Sequence, residues 1–597
     1  MFRPICPVLG ALLALLTASA ARAATISVGP SGCNTTSLQS AINSLASSPD
    51  TSHTIKLKSG TIAIPNGVSM NLPASDIDII GGFASCSNAA PTAGQRWTLD
   101  ASGGNDGTTM TIEAGNRSFQ QWTIFSNTTI RGGSSETAPF SNPEGGGLEV
   151  RGHARVWLRE DTRVEDNASG KGAGVYLNGA SSTRPAELYI LDGSSISNNV
   201  AITLGGGVYC NNFGTVEFFD GQISFNDANN GGGIYLNPGC KLEGVGTGSG
   251  NLKSIDNNRA LIAGSSGGFG GAIYLGTDGA TANPVHLVGD PGNPILFLNN
   301  SATYGGGLYA SNNSATRVSL DFTNTIWLGH RANQGAGMLL SGRFDASIEA
   351  QPGCTYSFFG ASGCSAFDDN DASDGPGAIY INTGASTGTL GRLTIKRTRF
   401  ENNEGAPAVV AAGYATLAIE GAIVRNNRSL AVGAFVPFHR TIFASVGEVP
   451  QSVRYSTILT NDTDNIFTSL ATSPGNTLNL VGSIVWSPGT LIWRNWDNGP
   501  STVEHDGCLI GHSGTGLPAG VIVADPMLES NLTPGIGSPA LDVCGLVGGA
   551  PSQDYYGQER GYDQPSIPNL YGPNDLGAVE RRTAIDDTIF RNGFEVP

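Results

Sequence analysis

Gly172-Ala173-Gly174-Val175-Tyr176-Leu177, Gly205-Gly206-Gly207-Val208-Tyr209-Cys210 and Gly231-Gly232-Gly233-Ile234-Tyr235-Leu236 are three copies of one phrase. It returns at Gly270-Gly271-Ala272-Ile273-Tyr274-Leu275, Gly305-Gly306-Gly307-Leu308-Tyr309-Ala310, Gly335-Ala336-Gly337-Met338-Leu339-Leu340 and Gly375-Pro376-Gly377-Ala378-Ile379-Tyr380. Asn-bearing turns precede most copies, as at Asp166-Asn167, Asn198-Asn199, Asn257-Asn258, Asn299-Asn300 and Asp369-Asn370. A repeat of roughly 25 to 40 residues is the mark of a solenoid, in which each unit buries its apolar face only against its neighbours.

Within one repeat the pattern resolves into three short strands. Leu188-Tyr189-Ile190-Leu191 runs to a turn at Asp192-Gly193, Ser195-Ile196-Ser197 to a turn at Asn198-Asn199, and the glycine phrase opens onto Val208-Tyr209-Cys210. Asp-Gly and Asn-Asn supply the left-handed corners, and glycine lets the chain bend where a side chain has no room. Such strands are too short to stand as hairpins, but stacked in parallel each gains two neighbours. One Asn at the same corner of every coil can form a hydrogen-bonded ladder. The expectation is an all-β, right-handed parallel β-helix, the hand following the bias of parallel crossovers. At about 4.8 Å per coil, roughly 12 to 15 coils give a rod on the order of 60–70 Å long.

The flanks divide as follows. Residues 1–23 read as a secretory signal, with Arg3, an apolar core from Val8 to Leu16, and Ala21-Arg22-Ala23 as a small-x-small cleavage site. Residues 24–110 form the N-terminal cap and first coils. There Leu38, Ala41, Ile42 and Leu45 fall at helical spacing behind a Ser or Thr cap, giving a short helix suited to cover the open core. Residues 111–430 hold the regular repeats, 431–537 degenerate coils, and 538–597 a Pro/Gly-rich C-terminal cap and tail.

Composition narrows the function classes. Glycine at 84 of 597 lacks a three-residue period, which excludes collagen, and 39% apolar residues is too many for a disordered chain. The formal charge is −17, and more negative still once Arg3 and Arg22 leave with the leader. That disfavours nucleic acid and anionic lipid, and weighs against long polyuronates unless a local basic groove exists. No later run is long and apolar enough to span a bilayer, so no transmembrane segment is expected in the mature chain. Eight cysteines remain after Cys6 leaves with the leader, an even set that suits disulfides in an oxidising compartment. They allow 105 connectivities, of which pairing of sequence neighbours is the simplest: Cys33–Cys86, Cys210–Cys240, Cys354–Cys364 and Cys508–Cys544. No C-x-x-C and no His at ligand spacing accompany them, so no structural zinc is expected.

The glycine phrases, with Phe297-Leu298-Asn299-Asn300 and Phe400-Glu401-Asn402-Asn403, resemble the repeats of chlamydial polymorphic outer-membrane proteins, which belong to the pectin-lyase-like class of right-handed β-helices. Ser538-Pro539-Ala540-Leu541-Asp542, Asp554, Gly557, Arg560 and Asp575-Leu576-Gly577-Ala578-Val579-Glu580 resemble the end of bacterial choice-of-anchor Q β-helix proteins. Both resemblances imply fold more than function, since such helices include adhesins, surface proteins and enzymes. A chlamydial-type protein would add a membrane barrel of many ten-residue strands, and no such run follows Glu580. Ile589-Phe590-Arg591-Asn592-Gly593-Phe594-Glu595 resembles the short C-terminal tags of some secreted proteobacterial proteins and suggests sorting.

If Val156, Leu158, Leu188, Ile190 and Phe218 point inward, the outer face of the first strand carries Trp157, Glu187, Tyr189, Glu217, Glu243, His286 and Arg317. Aromatic rings stack on sugars, and paired carboxylates serve as acid and base or nucleophile, so these are the candidate ligand-binding residues. The same side chains also suit the polar exterior of any solenoid. No compact Asp-Asp or Asp/Arg signature marks a catalytic pair. The column Tyr176, Tyr209, Tyr235, Tyr274, Tyr309 and Tyr380 is expected as an exterior stacked ladder. Asp369-Asn370-Asp371-Ala372-Ser373-Asp374-Gly375 misses the EF-hand spacing and reads as an acidic corner. His505, Asp506 and His512 lack metal spacing, and no Gly-x-Ser-x-Gly, Walker loop or HExxH occurs, so neither metal nor cofactor is expected. The expected function is a secreted or cell-surface protein presenting a long surface for adhesion or glycan contact, with glycans or host and cell-surface molecules as partners. The alternative is a polysaccharide lyase or glycoside hydrolase working on the outer face of the first strand.

Overall fold

The computed structural model describes residues 24–582 apart from 47, 49–50, 72–75, 104–106, 116–117, 135–143, 247–252, 262–266, 355, 359–360, 385–389, 432–438, 448, 471–475, 496–500, 513–518, 546–550 and 564–566. Residues 1–23, read as a leader, and Ile589–Glu595, read as a tag, therefore lie outside the described residues. One coil shows the whole plan. Ala186–Ile190 belongs to a first sheet, Ser195–Ser197 to a second, Val200–Leu204 to a short corner sheet and Val208–Asn212 to a third. Gly214–Phe218 then starts the next coil directly over the first strand, with Glu187 opposite Thr215 and Tyr189 opposite Glu217. Stacked this way, the first, second and third sheets reach 16, 16 and 14 strands, and every pairing within them is parallel: the chain is a parallel β-helix. Sixteen strands at about 4.8 Å make a stack about 70 Å long. The coil count exceeds the 12 to 15 expected because the first and last coils lack the glycine phrase.

The fourth, corner sheet departs from the three-strand reading. It has nine strands, from Ala168–Lys171 to Arg428–Ser429, most of them two residues long. Ala201, Ala228, Ala260 and Ala372 are among its buried members, small enough to tuck beneath the glycine corner. Two residues carry no periodicity, so the pattern hid them.

The interior is built of like on like. Ile196, Ile223, Ile255, Phe297, Trp327, Phe367 and Phe400 form one fully buried second-sheet column. Phe297 stacks on Trp327 at 3.9 Å, Trp327 on Phe367 at 5.8 Å, and Phe367 on Phe400 at 5.3 Å. Beside it runs a ladder of buried amides. Asn167, Asn199, Asn226 and Asn258 each donate side chain to side chain to the next rung, as far as Asn300, at 2.9–3.0 Å, and Asn370, Asn403 and Asn427 do so as far as Asn461 at 2.9–3.1 Å. Each Asn Oδ1 also accepts the backbone N–H of the rung before it, so the buried corner amides are satisfied. The residue ahead of each rung is left-handed, as at Asn198 with φ 56. The glycine phrase and the ladder require one another. A Cβ on Gly207 would stand 3.0 Å from the Asn226 amide nitrogen, while Gly205 at φ 62 turns the chain under Tyr209.

One end and one flank are covered. Helix Leu38–Leu45, N-capped by Ser37, buries Leu38, Ala41, Ile42 and Leu45 on the end of the core. Disulfides join the four sequence-neighbour pairs, with Cα–Cα distances of 5.2, 6.1, 5.7 and 5.5 Å in chain order. The described part of the C-terminal segment folds back along the outside of the second sheet. There one outward column, Leu296, Ile326, Ala366, Arg399, Ile423, Thr457, Ile484 and Ile510, is buried throughout. Tyr356, in the Cys354–Cys364 loop, covers its start, and Leu532, Ala540, Val543, Tyr555, Leu576 and Val579 cover its end.

That segment is pinned by a buried polar knot. Arg560 meets Glu580 at 3.3 Å, donates to the Gly577 and Ala578 carbonyls at 2.8 and 2.9 Å, and lies 4.8 Å over the Tyr455 ring. Glu580 accepts the Gly561 and Tyr562 amides, Asp554 accepts those of Glu580 and Gln558, and Asp575 accepts those of Asp542 and Arg581. Burial holds all three carboxyls above their ordinary range, since one guanidinium serves them all.

Candidate functional site

On the first sheet Val156, Leu158, Leu188, Ile190 and Phe218 are fully buried, which turns the alternate residues outward. Strand register lines these into two columns. One runs Trp157, Tyr189, Glu217, Glu243, His286, Asp321; the other runs Trp122, Arg155, Glu187, Thr215, Lys241. Six of the seven candidates therefore share one patch. Arg317 stands apart: it precedes strand Val318–Thr323, and its Nε donates to the Leu390 carbonyl at 2.6 Å, bracing a loop.

The aromatic half is closed on itself. Trp122, Trp157, Tyr189 and Phe219 stack at 5.5, 5.1 and 6.0 Å, and Arg155 lies 4.5 Å over Trp122 and 5.1 Å over Tyr189. Arg155 also pairs with Glu187, whose Oε2 accepts the Tyr189 hydroxyl at 3.3 Å. Ring faces are thus spent on each other and on a guanidinium, leaving edges toward solvent.

The acidic half is tuned by crowding. Burial, then the charges of Glu243 and Glu187, push the Glu217 carboxyl up to about 7, against the pull of Arg155 and Lys241. Lys241 lies 3.6 Å from Glu243. His286 Nδ1 stands 3.5 Å from Asp321 Oδ2, and that carboxylate, with Glu243 beyond it, raises the imidazole's pKa. The patch thus sets Glu217, its carboxyl pKa raised, beside the cation-paired carboxyls of Glu187 and Glu243, with the His286–Asp321 pair further along.

The sequence reading passed over Trp122, Arg155, Lys241 and Asp321. Alternation in Ala154-Arg155-Val156, Lys241-Leu242-Glu243 and Ser319-Leu320-Asp321-Phe322 signals three of them, whereas in Gln121-Trp122-Thr123-Ile124 it points the wrong way, since Gln121 and Thr123 are the buried residues.

Other candidates have structural roles. The tyrosine column does stack along the third sheet, Tyr235 on Tyr274 at 4.3 Å and the other neighbours from Tyr176 to Tyr309 at 5.4–5.5 Å. Tyr176 and Tyr209 are nevertheless only 1% and 3% exposed, and the Tyr209 hydroxyl is held by Asn211 and Asn237. Leu339 interrupts the column before Tyr380. In the acidic corner Asn370 is a ladder rung and Asp371 pairs with Arg331 at 3.0 Å. His505 receives the Gly507 amide, and buried His512 contacts the Thr490 carbonyl at 2.7 Å. Among the described residues no three His, Cys, Asp or Glu side chains converge as metal ligands, and no helix is long and apolar enough to cross a membrane.

Fold and patch define the class: a disulfide-braced parallel β-helix with an acidic and aromatic outer stripe. Comparison with protein-family models, curated proteins and solved structures finds no match to this chain.

Proposed function

We propose that this chain is an exported β-helix protein whose first-sheet face makes contact with glycans at a cell or matrix surface without turning them over. One observation carries this reading: hydrogen-bonding side chains follow one another coil after coil from Tyr189 to Asp321 along a single register column. A polymer with repeated hydroxyls matches such a periodic display. Four disulfides favour an oxidising compartment, in keeping with the leader read at residues 1–23. Asp542, Asp554, Arg560, Asp575 and Glu580, the residues behind the choice-of-anchor resemblance, gather in one buried knot. Their shared position supports reading that signature as the lock of the folded-back C-terminal segment, within the pectin-lyase-like class.

A hydrolase is the second reading, favoured by Glu217. A carboxyl with its pKa near 7, one strand away from a second carboxyl, resembles the acid and nucleophile of a retaining glycosidase, whose carboxyls stand about 5–5.5 Å apart. Against it, Arg155 on Glu187 and Lys241 on Glu243 already engage both flanking carboxylates. Incubation of the purified chain with neutral glycans and polyuronates separates the two. Binding without new reducing ends supports the display reading; sustained release that Glu217→Gln abolishes supports the hydrolase.

A further inference from the structure

A cleft of about 760 Å³ opens where the third sheet turns into the first, lined by segments from four successive coils. Its walls include Asn212, Phe213, Thr215, Lys241, Asp278 and Thr281. Phe213 is unusual on two counts. The residue is 39% exposed, and its backbone holds φ 41, a left-handed conformation that a bulky side chain adopts only at a cost. The frame around it is rigid. The Cys210–Cys240 disulfide ties the two strand ends that carry Phe213 and Lys241, and the Gly239 amide donates to Thr281 Oγ1 at 2.9 Å. Gly239 also keeps the ring's flank open, since a Cβ there would touch Phe213 Cδ1 at 3.4 Å.

We infer that this cleft is a saccharide subsite, with Phe213 as the platform for one sugar ring and a neutral oligosaccharide as its occupant. The inference rests on the glycan-display reading and adds to it a place and a ligand class. Unlike the stacked rings of the first sheet, Phe213 presents area to solvent. Around it stand an amide, two threonine hydroxyls, one cation and one carboxylate, groups that suit hydroxyls. The volume falls within the range of small-molecule sites, about 300–1,000 Å³. Charge selects against uronates. Lys241, the cation in the lining, is paired with Glu243, and Glu217 and Glu243 lie beyond it in a chain of net charge −17. Because Lys241 belongs to both the cleft and the outward columns, a bound chain can continue from the cleft onto the acidic row.

The test is calorimetric titration of the purified chain with xylohexaose, cellohexaose and mannohexaose, with hexagalacturonate as the anionic arm. At least one neutral hexaose should bind saturably and hexagalacturonate should not. Phe213→Ala should weaken that binding about tenfold, the scale of one lost aromatic contact. Ala280→Trp, which fills the cleft from an exposed position, should abolish it. Melting curves check that both variants fold, and Ala280→Trp carries the test if Phe213→Ala does not. Neutral-sugar binding unmoved by the folded variants, or a preference for hexagalacturonate, overturns the cleft assignment and leaves glycan display standing. No binding to any glycan overturns both.

Discussion

His330 replaces asparagine at one rung of the buried ladder, which makes acid stability a direct probe of that interior. Its Nδ1 accepts the Asn300 backbone N–H at 3.1 Å, and its backbone N–H donates to Asn370 Oδ1 at 3.2 Å. An accepting Nδ1 must be unprotonated, and the Trp327 ring lies edge-on at 6.0 Å. Burial pushes the imidazole from its usual 6.5 down to about 3. The unfolded chain takes up a proton as pH falls through about 6.5, and the folded chain does not until about 3. Stability from this site is therefore intact above pH 6.5 and is lost at about 1.4 kcal/mol per pH unit below it. Between pH 6.5 and 4.5 the loss is about 2 kcal/mol. His330→Asn supplies the rung its neighbours use and removes the titration. Guanidinium unfolding of wild type and variant across pH 4.5–7.5, followed by circular dichroism, isolates the effect, because all other titrating groups are common to both. The wild type should lose about 2–3 kcal/mol relative to the variant over that interval. A difference that does not change with pH refutes the buried, neutral rung.

Three further outcomes follow from the same geometry. Asn258→Ala leaves the Asn226 backbone N–H and one Asn226 side-chain hydrogen without acceptors, and should cost about 2–5 kcal/mol. Exposed Asn313→Ala should cost less than about 0.5 kcal/mol in the same denaturation experiment. Glu217→Gln removes a carboxyl whose folded pKa is raised from 4.5 to about 7. The wild type bears a growing ionisation penalty from pH 4.5 to 7, so the variant's melting temperature should gain over that window and plateau above it. Arg560→Met strips the guanidinium that meets Glu580 and acts on Asp554 and Asp575, a loss of about 3–5 kcal/mol. Limited proteolysis should then cut first within residues 525–582 while the coils resist.

The repeat made the coil legible because glycine, asparagine and alternating apolar residues each have a steric reason to stand where they do. The interior ladder was foreseeable from Asn199, Asn226 and Asn258 alone. His330 was not, since its place is set by stacking register rather than by residue type. The folded-back segment left a trace that went unread. Leu296-Phe297, Ile326-Trp327, Ile423-Val424 and Ile484-Val485 are adjacent apolar pairs, and a strand apolar on consecutive residues is buried on both faces. The patch was half legible. Alternation placed Trp157, Tyr189, Glu217 and Glu243 outward, but which carboxylates sit side by side depends on coil lengths of unequal size. The Phe213 cleft depends on loop conformation, which no periodicity encodes.

Display without turnover is the central claim, and one experiment meets it head on. The purified chain is held for a day with each neutral glycan and polyuronate, and bound ligand and new chain ends are both quantified. Saturable binding with no product above a protein-free control is the result expected. Sustained release of oligosaccharides or unsaturated ends, lost in Glu217→Gln, would contradict it and make this face an active site.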